Sequence, residues 1–357
     1  MMLAAGGTGG HLFPAEALAL VLTRRGHKVV LVTDARAEAL VDTFPAERVH
    51  FVPSATLTGK NPVALARMAV ANGAGFMRSM RIVRGFRPDV AVGFGGYPTL
   101  PPLSAARALK VPLVVHEANA VIGRANKSLA RHAHVATSFP EVRGIQGALS
   151  ETHVGIPVRE AVVAAAAPYE APADSFRLLV FGGSQGARVF ADLVPPAIAL
   201  LSQEQRARLR IVQQCRPEDM DRVRAAYAPL LEGFELAPFF KDLPARIAAA
   251  HLVVSRSGAS TVAELSIIGR PGLLVPLPGA LDQDQAHNAD ALAALGGARR
   301  LDQKAMTPEV LAAELTSLMT DPARLAGMAA GATGLARPDA AERLADLAER
   351  IAAGDTP

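Results

Sequence analysis

Two glycine-rich segments carry the clearest chemical signal in the sequence. Residues 6–11 read Gly-Gly-Thr-Gly-Gly-His, and residues 182–187 read Gly-Gly-Ser-Gln-Gly-Ala. Glycine lacks the Cβ that would keep a phosphate from the backbone, and a helix starting after the turn points free N–H groups at an anion. Each segment therefore predicts a phosphate-binding turn, although such turns also serve only to reverse the chain. Neither has the P-loop or dinucleotide spacing, which disfavours ATPases and dehydrogenases.

His11 closes the first of these segments, at the start of the predicted helix. The positive end of a helix dipole disfavours the imidazolium form, so the ring is expected to be neutral and able to accept a proton. We therefore interpret His11 as a candidate general base. The alternative is a partly buried histidine that packs against the turn.

Polar residues of the second half suggest a nucleotide-sugar site. Residues 251–264 predict a strand, a Ser/Gly turn and a helix with Glu264 in its first turn. A carboxylate there can accept hydrogen bonds from the two hydroxyls of a ribose. The alternative is a capping box, because Thr261 and Glu264 have its spacing. The polar run 282–285 follows an apolar strand end and suits the hydroxyls of a hexose, although a solvated loop would also be polar.

The elements that must position these residues form a repeating pattern. Short apolar runs alternate with longer helical patterns, which indicates parallel sheets covered by helices on both faces. We predict an α/β fold with two doubly wound, Rossmann-like domains that face each other across a cleft. The predicted domains span residues 1–160 and 161–357, and the tail after Pro338 is a candidate to pack back on the first domain. The predicted strands are residues 28–33, 89–94, 111–116, 177–181, 209–213, 251–255 and 272–276.

Composition excludes several classes of protein. The chain has 357 residues, which is more than one ordinary core holds, and 50% of them are hydrophobic. We find no uninterrupted apolar run of about 20 residues and expect a soluble, unsecreted protein. The single cysteine, Cys215, excludes an internal disulfide and a multi-cysteine zinc site, and we expect neither a metal nor a cofactor. Aromatic residues make up only 4%, which disfavours nucleic-acid binding.

Positive charge is concentrated in one segment of the first half. The formal net charge is +4, and no acidic residue lies between Glu47 and Asp89. Phe76, Met80 and Val83 recur there at helical spacing among several arginines, which predicts a basic amphipathic helix suited to an anionic membrane surface. The alternative is an ordinary packed helix with a solvated basic face. The basic residues of the segment are Arg48, Lys60, Arg67, Arg78, Arg81, Arg84 and Arg87.

Taken in order, the motifs resemble those of the MurG family of GT-B glycosyltransferases. The matching segments are residues 6–11, 93–98, 116–119, 155–159, 182–187 and 256–264. The resemblance implies a transferase that moves N-acetylglucosamine from UDP-GlcNAc to the C4 hydroxyl of undecaprenyl-diphospho-N-acetylmuramoyl-pentapeptide (lipid I), with inversion, to give lipid II in peptidoglycan synthesis. It implies a peripheral protein at the cytoplasmic face of the bacterial cell membrane, with cell-wall synthesis proteins as candidate partners.

The resemblance also implies which residues form the site. His11 is the expected catalytic residue. The expected substrate-binding residues are Thr8, Gly9, Gly10, Asn119, Arg159, Ser184, Phe240, Ala259, Ser260, Thr261, Val262, Ala263, Glu264 and Gln285.

Three positions depart from the family pattern. Ala118 replaces a glutamine, Ile156 replaces an asparagine, and Asp284 stands where a neutral glutamine is common. Three other functions remain open on the sequence: a GT-B transferase that glycosylates another acceptor such as diacylglycerol, a UDP-GlcNAc 2-epimerase, and a non-catalytic nucleotide-sugar sensor.

Overall fold

A computed structural model describes residues 1–55, 62–183, 186–279 and 282–355. The chain divides into two units, Met1–Arg159 together with Arg337–Pro357, and Glu160–Ala336. All strand pairs within each unit are parallel. The strands are β1 Met2–Ala4, β2 Val30–Thr33, β3 Arg48–Phe51, β4 Ala91–Gly93, β5 Leu113–Glu117, β6 His134–Thr137, β7 Ser150–His153, β8 Phe176–Phe181, β9 Leu209–Gln214, β10 Phe234–Ala237, β11 Leu252–Ser255, β12 Gly272–Leu274 and β13 Ala298–Arg300.

Helices connect the successive strands, except that a loop without a helix joins β6 to β7. The α-helices are α1 Gly9–Arg24, α2 Pro62–Phe86, α3 Leu100–Ala108, α4 Arg124–Leu129, α5 Glu160–Ala164, α6 Arg188–Ala199, α7 Gln203–Arg208, α8 Met220–Tyr227, α9 Leu243–Ala249, α10 Ala259–Ile268, α11 Asp284–Ala294, α12 Pro308–Met319, α13 Pro322–Ala332 and α14 Ala340–Ala352. Short 3-10 helices lie at Ala35–Leu40, Tyr97–Thr99, Ala130–His132, Pro217–Asp219 and Thr333–Leu335. None of the described helices is both long and apolar enough to cross a membrane.

The sheet of the first unit has the strand order β3-β2-β1-β4-β5-β6-β7. The chain therefore starts in the middle, moves to one edge, and returns to the other side of β1. The reversal lies between β1 and β4, where Leu3 pairs with Val92. Ligands of doubly wound sheets bind outside the carboxyl ends of the strands at such a switch point.

The sheet of the second unit repeats this topology with the order β10-β9-β8-β11-β12-β13. Its switch point lies between β8 and β11, where Leu179 pairs with Val253. The second glycine-rich turn leaves β8 there, and the turn at 256–258 leaves β11 beside it. The topology thus brings two turns that are far apart in sequence to one edge of the sheet.

Both faces of the first sheet are buried, as the apolar runs require. Along β1, Leu3 joins the hydrophobic cluster on one face, while Met2 and Ala4 join the cluster on the other. Burying a side chain such as leucine stabilises the fold by about 1.5–3 kcal/mol, so these strands provide much of the driving force. Helix α14 belongs to the first of these clusters through Leu344, Leu347 and Ile351, although it is the last element of the chain.

The predicted α/β fold with two Rossmann-like sheets is confirmed. The seven predicted strands correspond to β2, β4, β5, β8, β9, β11 and β12, with ends shifted by a few residues. The prediction missed the inner strand β6 and all four edge strands, β3, β7, β10 and β13. Edge strands are half exposed, so they tolerate polar residues and lack the continuous apolar run that indicates a buried strand.

Candidate active site

The first glycine-rich turn joins β1 to α1 and lies at the switch point of its sheet. Thr8 is the N-cap of α1, and Gly9 and Gly10 form the first helical residues. The first N–H groups of a helix have no intrahelical acceptor, so this turn offers donors to an anion. Gly7 is required by packing, because a Cβ there would lie 2.2 Å from Asp34 Oδ1.

His11 is held in one orientation by the backbone after β4. Its Nδ1 lies 2.8 Å from the carbonyl oxygen of Phe94. A carbonyl only accepts, so Nδ1 carries the proton and Nε2 of the neutral ring keeps its lone pair. Burial lowers the pKa of His11, the bond to Phe94 opposes this, and the charge of Arg36 lowers it further. The imidazole is therefore neutral at pH 7 with Nε2 available as a base.

Glycines after β4 leave room for this imidazole. Gly95 and Gly96 have φ of +82° and +79°, in the left-handed region that favours glycine. A Cβ at Gly96 would lie 3.3 Å from His11 Nε2. A side chain at Gly96 would therefore crowd the nitrogen that keeps its lone pair.

A buried carboxylate organises the loop that contains Asn119. Glu117 is 2% exposed. Its Oε1 accepts from the Asn119 backbone N–H at 3.0 Å, and its Oε2 accepts from Gly123 N at 2.9 Å and from Asn126 Nδ2 at 2.8 Å. Burial raises the pKa of Glu117 and these bonds oppose the rise. Sequence reasoning missed Glu117; a charged residue at the end of an apolar strand was the available signal.

Arg159 lies beside the start of α1. Its Cζ is 4.5 Å from the centroid of the Phe13 ring, a cation–π contact. Phe13 lies in the first turns of α1, so the structure brings Arg159 near the helix start that also carries Thr8, Gly9, Gly10 and His11.

The second unit contains a cavity of about 610 Å³ at its switch point. The N-termini of α6 and α10 both border it, through Ala187 and Gly258. The positive dipole ends of two helices therefore meet at one cavity, which favours an anion with more than one phosphate. Three arginines and one acidic residue also line it: Arg188, Arg216, Arg256 and Asp192.

Two of the predicted substrate-binding residues, Thr261 and Gln285, line this cavity. Gln285 Oε1 accepts from Leu277 N at 3.0 Å, and the Ser257 hydroxyl donates to the Gln285 carbonyl at 2.7 Å. The polar segment of the predicted sugar loop is therefore anchored to the turn between β11 and α10. Ser184, predicted for the same site, lies outside the described residues.

The capping-box alternative for Thr261 and Glu264 is wrong. The N-cap of α10 is Gly258, so Thr261 lies inside the helix. Glu264 is the sixth helical residue and lies in the second turn, not in the first turn as predicted. Glu264 follows Thr261 by three residues, which places both on one side of the helix. Val262 faces the other way: its side chain is 1% exposed and its N–H donates to the Gly258 carbonyl, so neither group is available to a ligand. Ala259, Ser260 and Ala263 complete the first turns of α10.

Phe240 lies in the segment after β10. Its side chain is buried under the Arg246 guanidinium, whose Cζ is 4.3 Å from the ring centroid. Only its backbone is then suited to contact a base. The segment begins at Pro238, whose carbonyl accepts a hydrogen bond from Gln214 at 3.1 Å. Sequence reasoning missed Gln214, which carries no motif of its own.

Comparison with known proteins identifies the family. Residues 1–137 match the glycosyltransferase family 28 N-terminal domain, and residues 177–350 match the family 28 C-terminal domain. The chain is 57% identical to a protein of Rhodopseudomonas palustris (strain BisA53), over 99% of this chain and 96% of the relative. That relative is named UDP-N-acetylglucosamine--N-acetylmuramyl-(pentapeptide) pyrophosphoryl-undecaprenol N-acetylglucosamine transferase. The chain belongs to glycosyltransferase family 28.

Further relatives agree with the family 28 assignment. A Methylobacterium nodulans protein of the same name is 57% identical over 97% of this chain and 95% of its own length. The crystal structure of Acinetobacter baumannii MurG is 30% identical, with a TM-score of 0.82 over 98% of this chain and 99% of that chain. The predicted resemblance to MurG is therefore confirmed. A Listeria monocytogenes chain assigned as a UDP-N-acetylglucosamine 2-epimerase is 14% identical with a TM-score of 0.68, which shows a shared fold alone.

The prediction that the apolar stripe of helix α2 faces a membrane is wrong in this family 28 chain. Phe76, Met80 and Val83 pack against the hydrophobic cluster on one face of the first sheet, so this apolar stripe is a packing face. The arginines at 78, 81 and 84 are exposed, as on an ordinary packed helix. The exposed large apolar residues of α2 lie mainly nearer its start: Val63, Leu65, Val70 and Met77.

Proposed function

We propose that this chain transfers N-acetylglucosamine from UDP-GlcNAc to the C4 hydroxyl of undecaprenyl-diphospho-N-acetylmuramoyl-pentapeptide, with inversion at the anomeric carbon. Binding of the UDP-GlcNAc donor is supported by one observation above all, the cavity at which the N-termini of α6 and α10 meet. The names of the relatives, at 57% identity over nearly the whole chain, support the acceptor.

The cavity suits a nucleotide diphosphate-sugar. We assign the backbone N–H groups at the start of α6 and α10 to the two phosphates. Glu264, on the same side of α10 as Thr261, is assigned to the ribose hydroxyls, and the backbone of Phe240 to the uracil. Gln285 and the polar residues before it are assigned to the sugar, whose hydroxyls need several donors and acceptors.

The turn before α1 supplies a second anion site in the other unit. We assign it to the diphosphate of the lipid acceptor, with the N–H groups of Gly9 and Gly10 as backbone donors and the Thr8 hydroxyl beside them, because the Thr8 N–H donates to the Gly6 carbonyl. Arg159, held over Phe13, adds a full positive charge near the same helix start. Asn119 is assigned to the transferred sugar, and the bonds to Glu117 hold its backbone in place.

Transfer then proceeds as a single displacement. His11 Nε2 removes the proton of the acceptor hydroxyl as the oxygen bonds to the anomeric carbon, and the bond from that carbon to UDP breaks on the opposite face. General-base catalysis of this kind contributes about 10²- to 10⁴-fold in rate. Helix N-termini aimed at the diphosphate stabilise the negative charge that grows on it.

Product identification tests this function against its alternatives. The purified chain is incubated with labelled UDP-GlcNAc, with and without lipid I, and the products are identified by mass. We expect label in lipid II and release of UDP only when lipid I is present. A labelled diacylglycerol product would indicate another acceptor, UDP-N-acetylmannosamine without acceptor would indicate an epimerase, and binding without UDP release would indicate a sensor.

We further propose that the first turns of α2 dock this protein on an anionic membrane at its cytoplasmic face. Val63 and Val70 are 60% and 72% exposed, and they border a largely apolar surface depression that also includes Arg67. Exposed apolar side chains combined with arginines suit the boundary between headgroups and acyl chains. The exposed arginines further along α2 extend the positive surface.

Vesicle binding tests the docking proposal. Val70→Asp places a charge in the apolar patch, so binding to vesicles with anionic lipid should weaken by about tenfold or more. The control is Val310→Asp, at a residue that is 40% exposed on α12 in the other unit. Added salt should weaken binding of the wild-type chain, because exposed charges are screened. Equal effects of the two substitutions, or salt-independent binding, would contradict the proposal.

A further inference from the structure

Arg216 lies against the glycine-rich turn at the base of the donor cavity. It follows β9 and is the N-cap of the short 3-10 helix Pro217–Asp219. Its Nη2 donates to the carbonyl oxygen of Gly186 at 3.3 Å, and a Cβ added to Gly186 would lie 3.2 Å from Arg216 Cγ. The turn therefore passes directly over the arginine side chain, which also lines the cavity.

The guanidinium of Arg216 has hydrogen-bonding capacity to spare. Its Nε is buried and finds no hydrogen-bond partner within the part of the chain that the structure describes. Its Nη1 is 3.9 Å from Glu218 Oε1, a long ion-pair contact, and the side chain is 37% exposed. The exposed part of this guanidinium lies beside a phosphate turn, so its Nη N–H groups are suited to a charge-assisted bond with a phosphate oxygen.

The other two arginines of the cavity are held away from the turn itself, by the segment after β12 and by α6. Arg256 Nη1 donates to the carbonyls of Val275 and Pro276, at 3.0 and 3.1 Å. Arg188 lies 3.6 Å from Asp192 in an ion pair within α6. Arg216 is therefore the cavity arginine whose guanidinium is held directly against the phosphate turn.

We propose that Arg216 binds the diphosphate of the donor and stabilises the charge that grows on it as UDP leaves. This inference rests on the proposed transferase function. Helix N-termini supply partial charges, whereas a guanidinium supplies a full charge and several N–H groups in a fixed plane. Arg216 lies outside every motif of the sequence, so only its position in the fold points to this role.

The test compares ligands with and without phosphates. Arg216→Met keeps the aliphatic stem and removes the charge, and Arg216→Lys keeps the charge. Affinities for UDP, UMP and uridine are measured by calorimetry, and kcat with UDP-GlcNAc is measured alongside. We expect Arg216→Met to weaken UDP binding about 10- to 100-fold, to lower kcat, and to leave uridine binding within about twofold. Arg216→Lys should restore part of the UDP affinity.

The control is Arg222→Met, on α8. Arg222 bonds Asp192 and Asp219 and does not line the donor cavity, so UDP binding should not change. Equal losses for UDP and uridine in Arg216→Met would show that Arg216 only braces the turn, and unchanged UDP affinity would equally overturn the inference. If the wild-type chain binds no UDP, the proposed function itself is overturned. If the wild-type chain turns over normally and Arg216→Met has the same UDP affinity and kcat, only the inference about Arg216 is overturned.

Discussion

At the scale of single residues, the chemistry depends on which nitrogen of His11 holds the proton. The Phe94 carbonyl accepts from Nδ1, so the tautomer is determined by the backbone and not by another side chain. Burial disfavours the charged ring and keeps the imidazole in its basic form. The loop after β4 thus orients the base and, through its glycines, leaves space beside Nε2.

We predict that His11→Gln lowers kcat about 10²- to 10⁴-fold with little change in donor KM, because the base acts in the transition state.

The pH profile gives a further readout of the same variant. The pKa of His11 is lowered from the ordinary 6.5, so the wild-type base form persists as the pH falls through 6.5 and is lost only below it. The acid limb of kcat/KM should therefore lie below 6.5 in the wild-type chain and disappear in the variant. His132→Gln, at an exposed histidine, should keep both the rate and the limb. A variant with near wild-type kcat would rule out the assignment.

Glu264 gives a second test at this scale. A charged hydrogen bond to a ribose hydroxyl is worth about 1.5–3 kcal/mol, so Glu264→Gln should raise the donor KM about 10- to 100-fold. The change should be much smaller for 2′-deoxy-UDP-GlcNAc, which lacks one of the hydroxyls. Steady-state kinetics with both donors, with Glu232→Gln at an exposed position as the control, measure this directly. Equal losses for the two donors would contradict ribose recognition.

At the scale of elements, one buried amide joins two loops of the second unit. Gln214, the last residue of β9, is 6% exposed. Its Oε1 accepts from Gly182 N at 2.9 Å, and its Nε2 donates to the carbonyls of Gly183 at 2.9 Å and Pro238 at 3.1 Å. The phosphate turn and the segment assigned to the uracil are therefore positioned by the same side chain.

Replacing this amide should affect stability and donor binding together. Gln214→Leu leaves three backbone groups without their partner, so we expect the free energy of unfolding to fall by about 2–4 kcal/mol and the donor KM to rise about tenfold. Urea unfolding and steady-state kinetics measure the two effects.

The neighbouring Gln213 provides the control. Successive strand residues face opposite sides of a sheet, and Gln213 accepts instead from the hydroxyl of Tyr227 in the core. Gln213→Leu should cost stability without raising the donor KM. If both variants raise the donor KM equally, the effect comes from lost stability and not from the position of the loops.

At the scale of the whole molecule, the last helix completes the first unit. Helix α14 packs its apolar face with Leu18 and Leu22 of α1 in one cluster. Arg25 Nη1 contacts both Asp346 and Glu349 of α14 at 2.7 Å, and His27 Nε2 lies 2.7 Å from Glu349. Such exposed ion pairs contribute little each, so burial of the apolar face is the main source of stability.

Truncating one residue of this face should destabilise the first unit. Leu344 is fully buried, so Leu344→Ala should lower the free energy of unfolding by about 2–5 kcal/mol through the cavity it leaves. Glu342→Ala, at an exposed position of the same helix, should change it by less than about 0.5 kcal/mol. Hydrogen exchange should show lost protection in α1 and β1, which are distant in sequence. Loss of protection confined to α12 and α13 would contradict this division of the chain.

Local sequence patterns were sufficient to predict the architecture and to name much of the candidate site. Apolar runs buried on both faces identify the inner strands β2, β4 and β5, and glycine-rich turns after apolar strands predict where phosphates bind. These features depend on residues close together in the chain, so their periodicity and spacing can be read directly. The ordered motifs also indicated family 28, which the full-length relatives confirm.

Only the tertiary structure decided the features that depend on distant partners. Edge strands carry no two-sided apolar signal, and the sequence of α2 does not reveal which apolar residues meet the sheet. The His11 tautomer depends on a carbonyl 83 residues away, and Gln214 and Arg216 gain their positions from turns about 30 residues distant. Helix α14 pairs with residues more than 300 positions earlier. Contacts of this kind arise when the strands assemble in the order of the sheet, which brings together groups whose separation in the sequence gives no sign of their contact.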